Sequence, residues 1–259
     1  MEAAPANIVA TLEALVLLHA GVFARVSAAV AVMPGIGERA VPMRVKLGLA
    51  LGITLLLAPM VREVAGLAPQ TPLGLGAVLA AEAAAGLVIG MAFRFLVIAL
   101  QVAGSIAAQS VGLSQLFGGV SAEAEPSFAT FLMLGGIVLA MAAGLHVALV
   151  AGLADLYRLI PFGRPPAADE LAQWGIGRVG ATFALGLSLA LPFVAVGFAY
   201  NLALGALSRA MPQLLVALVG APLLVGAGLV VLWLSLPELL ARWAGALAPV
   251  LIAPLEAGP

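Results

Sequence analysis

From Val179 to Ser208 the chain runs thirty residues without an Asp, Glu, Lys or Arg, and after Arg209 the stretch Ala210 to Pro237 does the same. Pro126 to Ala154 is a third such run, interrupted chemically by His146. An α-helix rises about 1.5 Å per residue, so about 20 apolar residues cross a bilayer core. Each run is therefore long enough for a spanning helix. The hydrophobic pattern predicts helices over 8–33, 43–61, 73–109, 127–154, 170–208 and 211–236, with Pro192 a candidate break and a short amphipathic tail near 237–247. Proline lacks an amide donor and clashes with the preceding turn, so clusters of Pro and Gly mark the helix ends. They stand at Pro34-Gly35, Pro69 to Pro72, Gly118-Gly119 with Pro126, and Pro161-Phe162-Gly163 with Pro165-Pro166.

Composition turns this pattern into a solvent. The chain is 64% hydrophobic and 9% charged with a mean hydropathy of +1.20, where ordinary globular chains are about 25% charged. It reads as an all-α membrane protein. The net charge of −1 gives no basic surface for nucleic acid, and the absence of cysteine removes disulfides, thiolate metal sites and cysteine nucleophiles together. Ile8 to Met33 contains Glu13, His19 and Arg25 and lacks a basic leading segment, so it reads as a retained helix and not as a cleavable signal. The first connector sets Arg39, Arg44 and Lys46 against Glu38, which by the positive-inside bias makes it cytoplasmic; Glu123 and Glu125 fit the opposite side.

A few polar residues lie inside the apolar helices. At 100° per residue Gly90, Arg94, Gln101 and Ser105 fall within about 60° of one another, and Glu82 and Gly86 lead into the same drifting stripe. Charged groups are costly at a bilayer centre, so this stripe faces protein or water. It fits either a satisfied inter-helix hydrogen bond, or a water-filled passage or subunit seam. Gly136, Ala140, Gly144, Ala148 and Gly152 recur at four-residue spacing, which favours close helix packing. His146 on the same helix reads as a hydrogen-bonded structural histidine before a proton relay. Asn201, Gly205 and Arg209 form a further stripe, and Pro212 beside Gln213 favours a hairpin turn at 209–213.

No constellation for chemistry appears in this pattern. There is no Walker-type phosphate loop, no His or Asp set at metal-ligand spacing and no Gly-x-Ser-x-Gly elbow. The reading is a non-enzymatic protein with no catalytic, metal or cofactor residues.

The segment Pro34-Gly-Ile-Gly-Glu38-Arg39-Ala-Val-Pro42-Met-Arg44-Val-Lys46-Leu-Gly48, closing at Ala58-Pro59, resembles the FliR family of flagellar type III export-gate proteins. The resemblance continues through Gln101-Val-Ala-Gly104, Gly112-Leu-Ser114 and Asp155-Leu-Tyr-Arg-Leu-Ile-Pro161-Phe-Gly163. It is sharpest at Leu189-Ala-Leu-Pro192, Asn201-Leu-Ala-Leu-Gly205-Ala-Leu-Ser-Arg209-Ala-Met-Pro212-Gln213 and Val219-Gly-Ala-Pro222. The blocks stand in family order over nearly the whole chain. The chain departs from the family at Ser105, where glutamate is common, and in lacking an Asp-Pro pair after Ser114.

The resemblance implies a single subunit made of long helical hairpins. Residues 1–166 would be FliP-like and 167–259 a FliQ-like helix pair with its tail. It implies FliP and FliQ as partners, with FlhB and FlhA of the same apparatus, and unfolded flagellar proteins as cargo. The site would be the bacterial inner membrane at the flagellar basal body, in contact with membrane lipid. The loop Gln115, Leu116, Phe117, Gly118 and Gly119 would plug the closed channel, and Arg94, Gln101, Gly136, Gly144, Asn201, Gly205 and Arg209 would pack between subunits. Two other readings fit less well: the homologous subunit of a virulence-type injector, and a small-molecule secondary transporter, for which the two related halves are not visible.

Overall fold

The computed structural model describes residues 3–65, 74–111, 127–210 and 216–255. The described residues are helical, joined by turns, with no strand among them. The helices are α1 (Ala3–Val32), α2 (Met43–Ala65), α3 (Leu75–Ser110), α4 (Ser127–Ala142), α5 (Leu145–Leu159), α6 (Ala168–Ala210) and α7 (Val216–Ile252). Five of them are long and apolar enough to cross a membrane, or six spans if the broken pair α4 and α5 counts as one. The all-α expectation therefore holds, and five of the six expected long helices are single elements at about the expected positions.

Three boundaries differ from the expected ones. The single helix over 127–154 is broken at Gly144, whose φ of 91° lies in the left-handed region that only glycine enters without strain. Gly144 N–H bonds back to the Met141 carbonyl, and the Gly144 carbonyl then accepts from Val147 and Ala148, so one ladder stops and the next begins at this residue. Pro192 does not interrupt α6, and Pro237 does not separate a tail from α7, which continues to Ile252. Proline removes one helical hydrogen bond, whereas leaving the helix in an apolar medium would strand several backbone groups, so the helices run on.

The chain forms two compact units. The first comprises Met1–Arg94, Met141–Arg178 and Pro249–Gly258. In it α2 packs against α1 and α5, over a core of Val22, Val26, Met33, Leu57, Ile89, Leu149, Leu153 and Leu156. Gly86 and Gly90 let α3 lie directly on α1. A Cβ on Gly86 would collide with the Arg25 carbonyl, and one on Gly90 would stand 2.7 Å from the Ala29 carbonyl oxygen.

The second unit comprises Phe95–Ala140 and Val179–Ala248, with Pro259. Leu100, Leu132, Ile137, Leu189, Phe193 and Trp243 form its core. A Cβ on Gly104 would stand 2.5 Å from the Ala129 Cα, so α3 and α4 meet backbone to backbone there. Phe128 and Phe193 pack edge to face with centroids 5.7 Å apart.

Candidate functional site

Arg25 on α1 and Glu82 on α3 lie in largely apolar helices, and neither exposes any side-chain surface. Two such charges are tolerable only if they find each other and saturate their remaining hydrogen-bonding capacity. The charges are paired, and the carboxylate is saturated. Arg25 Nε donates to Glu82 Oε2 at 2.9 Å and Nη2 donates to Oε1 at 3.0 Å, a two-pronged pair. The Tyr157 hydroxyl from α5 donates to Oε2 at 3.1 Å, and the Gly163 amide donates to Oε1 at 2.8 Å. Each carboxylate oxygen thus accepts two hydrogen bonds.

The arginine is received by a carbonyl and by a ring face as well. Nη2 also donates to the Ile160 carbonyl at 3.1 Å, and the guanidinium lies 3.7 Å from the centroid of the Tyr157 ring. Its Nη1, which has no hydrogen-bond partner among the described residues, belongs to a cation held against a π-face. The cluster therefore ties α1, α3 and α5 to the connector that follows α5. Glycines shape the cavity around it: Gly163 takes a φ of 74°, and a Cβ on Gly21 would meet the Phe162 ring at 2.5 Å. Phe162 is buried as a result, so the connector is anchored by a ring on one side and a carboxylate on the other. With its lone pairs occupied, Glu82 is placed to hold structure and not to accept a substrate proton.

A second polar group stands at the α1–α2 turn. Glu38 pairs with Arg94 of α3, and Lys46 Nζ donates to the Gly37 carbonyl at 2.8 Å. Both bonds lock the turn from outside its own backbone. In the same unit Arg178 Nη2 donates to the Pro254 carbonyl at 3.1 Å. Among the described residues no three His, Asp or Glu side chains come together as a metal site.

The residues singled out by sequence are dispersed. Arg94 is spent on Glu38, and Gln101 donates to the Met133 sulfur at 2.8 Å. Gly136 is buried against Leu100 and Trp243. Gly144 lies at the helix break with no atom near its Cβ position, so the small-residue stripe is not one continuous face. Asn201 bonds the Gly197 carbonyl of its own helix at 2.8 Å, and Gly205 and Arg209 are exposed. Arg39, Pro42, Arg44 and Pro192 are exposed, and Lys46 is half-buried. His146 is exposed too, not buried as a structural histidine. Gln115 to Gly119, Pro212 and Gln213 lie outside the described residues.

Reading along the sequence registered Arg25 and Glu82 separately and did not pair them. The available signal was their opposite sign within largely apolar helices, shared with Glu13 on α1 and Arg94 on α3.

The sequence profile of the family described as bacterial export proteins, family 1, matches residues 16–249. The flagellar biosynthetic protein FliR of Caulobacter vibrioides is 37% identical over 230 residues, covering 88% of this chain and 92% of that one. The proteins of the same name from Pectobacterium carotovorum and Escherichia coli are each 31% identical, over 83% and 79% of this chain and 82% and 78% of theirs. The match therefore includes the helices that carry Arg25, Glu82 and Tyr157, and the chain belongs to the FliR family of bacterial export proteins.

Proposed function

We propose that this protein is a non-enzymatic subunit of the flagellar type III export gate and forms part of the channel through which unfolded flagellar proteins cross the inner membrane at the basal body. The observation that carries the reading is end-to-end similarity to flagellar relatives, 92% of the Caulobacter protein included, in a chain with at least five helices long enough to span a membrane. The relatives bear flagellar names, which favours the flagellar apparatus over a virulence injector.

In this reading residues 1–166 act as a FliP-like part, and α6 and α7 as a FliQ-like hairpin. The chain assembles with FliP and FliQ and meets FlhA and FlhB. Gln115 to Gly119 form the apolar stopper of the closed channel, and Asn201, Gly205 and Arg209 on α6 face a neighbouring subunit. The exposure of Gly205 and Arg209 in the single chain supports that last assignment.

Tagged protein is expected to bring down FliP and FliQ from detergent-solubilised membranes, and deletion of its gene to abolish swimming. A strain that lacks the gene and still swims normally defeats the proposal. Deleting residues 115–119 is expected to leave assembly intact while making the membrane leak small solutes. Unchanged permeability in an assembled gate refutes the stopper.

A further inference from the structure

The turn between α1 and α2 is built so that its basic charge is left facing outward. Its acid, Glu38, is consumed by Arg94. Its backbone is fixed: Lys46 Nζ holds the Gly37 carbonyl, Gly35 takes a φ of 83°, and a Cβ on Gly37 would stand 2.5 Å from the Ala31 carbonyl oxygen. Arg39 and Arg44 are both exposed, and among the described residues no carboxylate pairs with either. The positive end of the α2 dipole points the same way.

Beyond this turn α2 is apolar and open. Met43 is 75% exposed, Val45 56%, Leu55 67% and Leu56 60%. The apolar segment Met43–Arg62 is 20 residues long, about 30 Å of helix, which is the thickness of a bilayer hydrocarbon core. At its other end Arg62 is followed directly by Glu63, so the charge there balances in sequence. One end of a bilayer-length helix is therefore strongly cationic and rigid, and the other is neutral.

We infer that Arg39 and Arg44 form a binding site for the headgroup of an anionic phospholipid, whose acyl chains lie along the exposed face of α2. An anionic headgroup supplies the missing counter-charge, and the apolar helix below it supplies the surface for the chains. A juxtamembrane basic residue contributes about fivefold in affinity for an anionic membrane surface. The inference needs the chain to sit in a membrane, as the proposed function does, but it is independent of export.

The chain contains no cysteine, so Met43→Cys gives a single site for a fluorophore beside both arginines. The full-length labelled protein is reconstituted into phosphatidylcholine vesicles with a minor fraction of brominated phosphatidylglycerol, or of brominated phosphatidylcholine. Quenching by the anionic lipid is expected at about fivefold lower mole fraction per arginine. That preference is expected to disappear in Arg39→Gln/Arg44→Gln and to shrink at high salt. Equal quenching by the two lipids overturns the site, and so does a preference that survives the double substitution. Equal quenching is also the result if an acidic protein segment is the real occupant. Protein that inserts into neither vesicle type fails the membrane reading itself and takes this site with it.

Discussion

In the first unit the tightest junction is a carboxylate accepting four hydrogen bonds where α1, α3 and α5 meet. In the second, the corresponding places are filled by ring edges, methyl groups and bare backbone. Trp243 is fully buried with its Nε1 on the Leu96 carbonyl at 2.9 Å, a Cβ on Gly104 would stand 2.5 Å from the Ala129 Cα, and one on Gly186 would stand 3.0 Å from the Ala99 carbonyl oxygen. Of the 11 basic and 12 acidic residues, the second unit's sequence holds Arg209, Arg242, Glu123, Glu125 and Glu238. Of these, the described side chains are exposed.

The difference matters because the two kinds of junction fail differently. A shape contact loses stability in proportion to the atoms removed. A buried ion pair adds little net stability, yet removing one member leaves an uncompensated charge.

The largest expected effect follows from that asymmetry. Arg25→Leu or Glu82→Leu alone is expected to cost about 3–5 kcal/mol, seen as loss of protein from the membrane fraction. The double Leu variant is expected to recover most of it. A double variant as poor as either single one would show that the geometry of the pair matters more than its charge balance, and would erase the contrast between the units.

Next comes the second unit's anchor. Trp243→Ala is expected to cost about 3–5 kcal/mol and Trp243→Phe clearly less, read as detergent melting temperatures. Equal losses would mean that the indole hydrogen bond, and not shape, holds this unit.

A smaller change sharpens the first unit's role. Tyr157→Phe keeps the ring against Arg25 but removes one hydrogen bond to the charged carboxylate, for an expected loss of about 1.5–3 kcal/mol. A melting temperature equal to the parent's would make the ring contact sufficient.

The smallest effect is at the α4–α5 break. The sequence pattern suggests overpacking by Gly144→Leu, but no atom lies near the Cβ position within the chain. Gly144→Ala is expected to cost about 1–2 kcal/mol through its left-handed φ alone. A loss as large as that of the Trp243→Ala variant would point to a partner packed on that position in the assembled state.

Much of the fold was legible because apolar runs of this length admit few alternatives to helix. The close approach of α3 to α1 at Gly86 and Gly90 was not legible: the sequence places both on the polar stripe of α3, and four-residue spacing of small residues pointed to Gly136–Gly152 instead. Two other kinds of feature escaped. Prolines 192 and 237 look like helix ends under rules drawn from water, yet α6 and α7 pass through them. The charge cluster escaped because Arg25, Glu82 and Tyr157 are separated by 57 and 75 residues, and helical periodicity registers only neighbours within a few turns. Polarity marked each residue as needing a partner; only the packing of three helices names it.

The length of α6 carries one more consequence. Its 43 residues amount to about 65 Å of helix, more than twice a bilayer core, and Phe183, Leu191, Phe198 and Leu202 are exposed along it. No tilt within the usual range absorbs that excess. A newly made copy in a lipid bilayer therefore has more greasy helix than the bilayer can cover, and remains in that condition until other protein surfaces take over the remainder. If the chain assembles as proposed, its capture by neighbouring subunits would compete with aggregation of this uncovered surface.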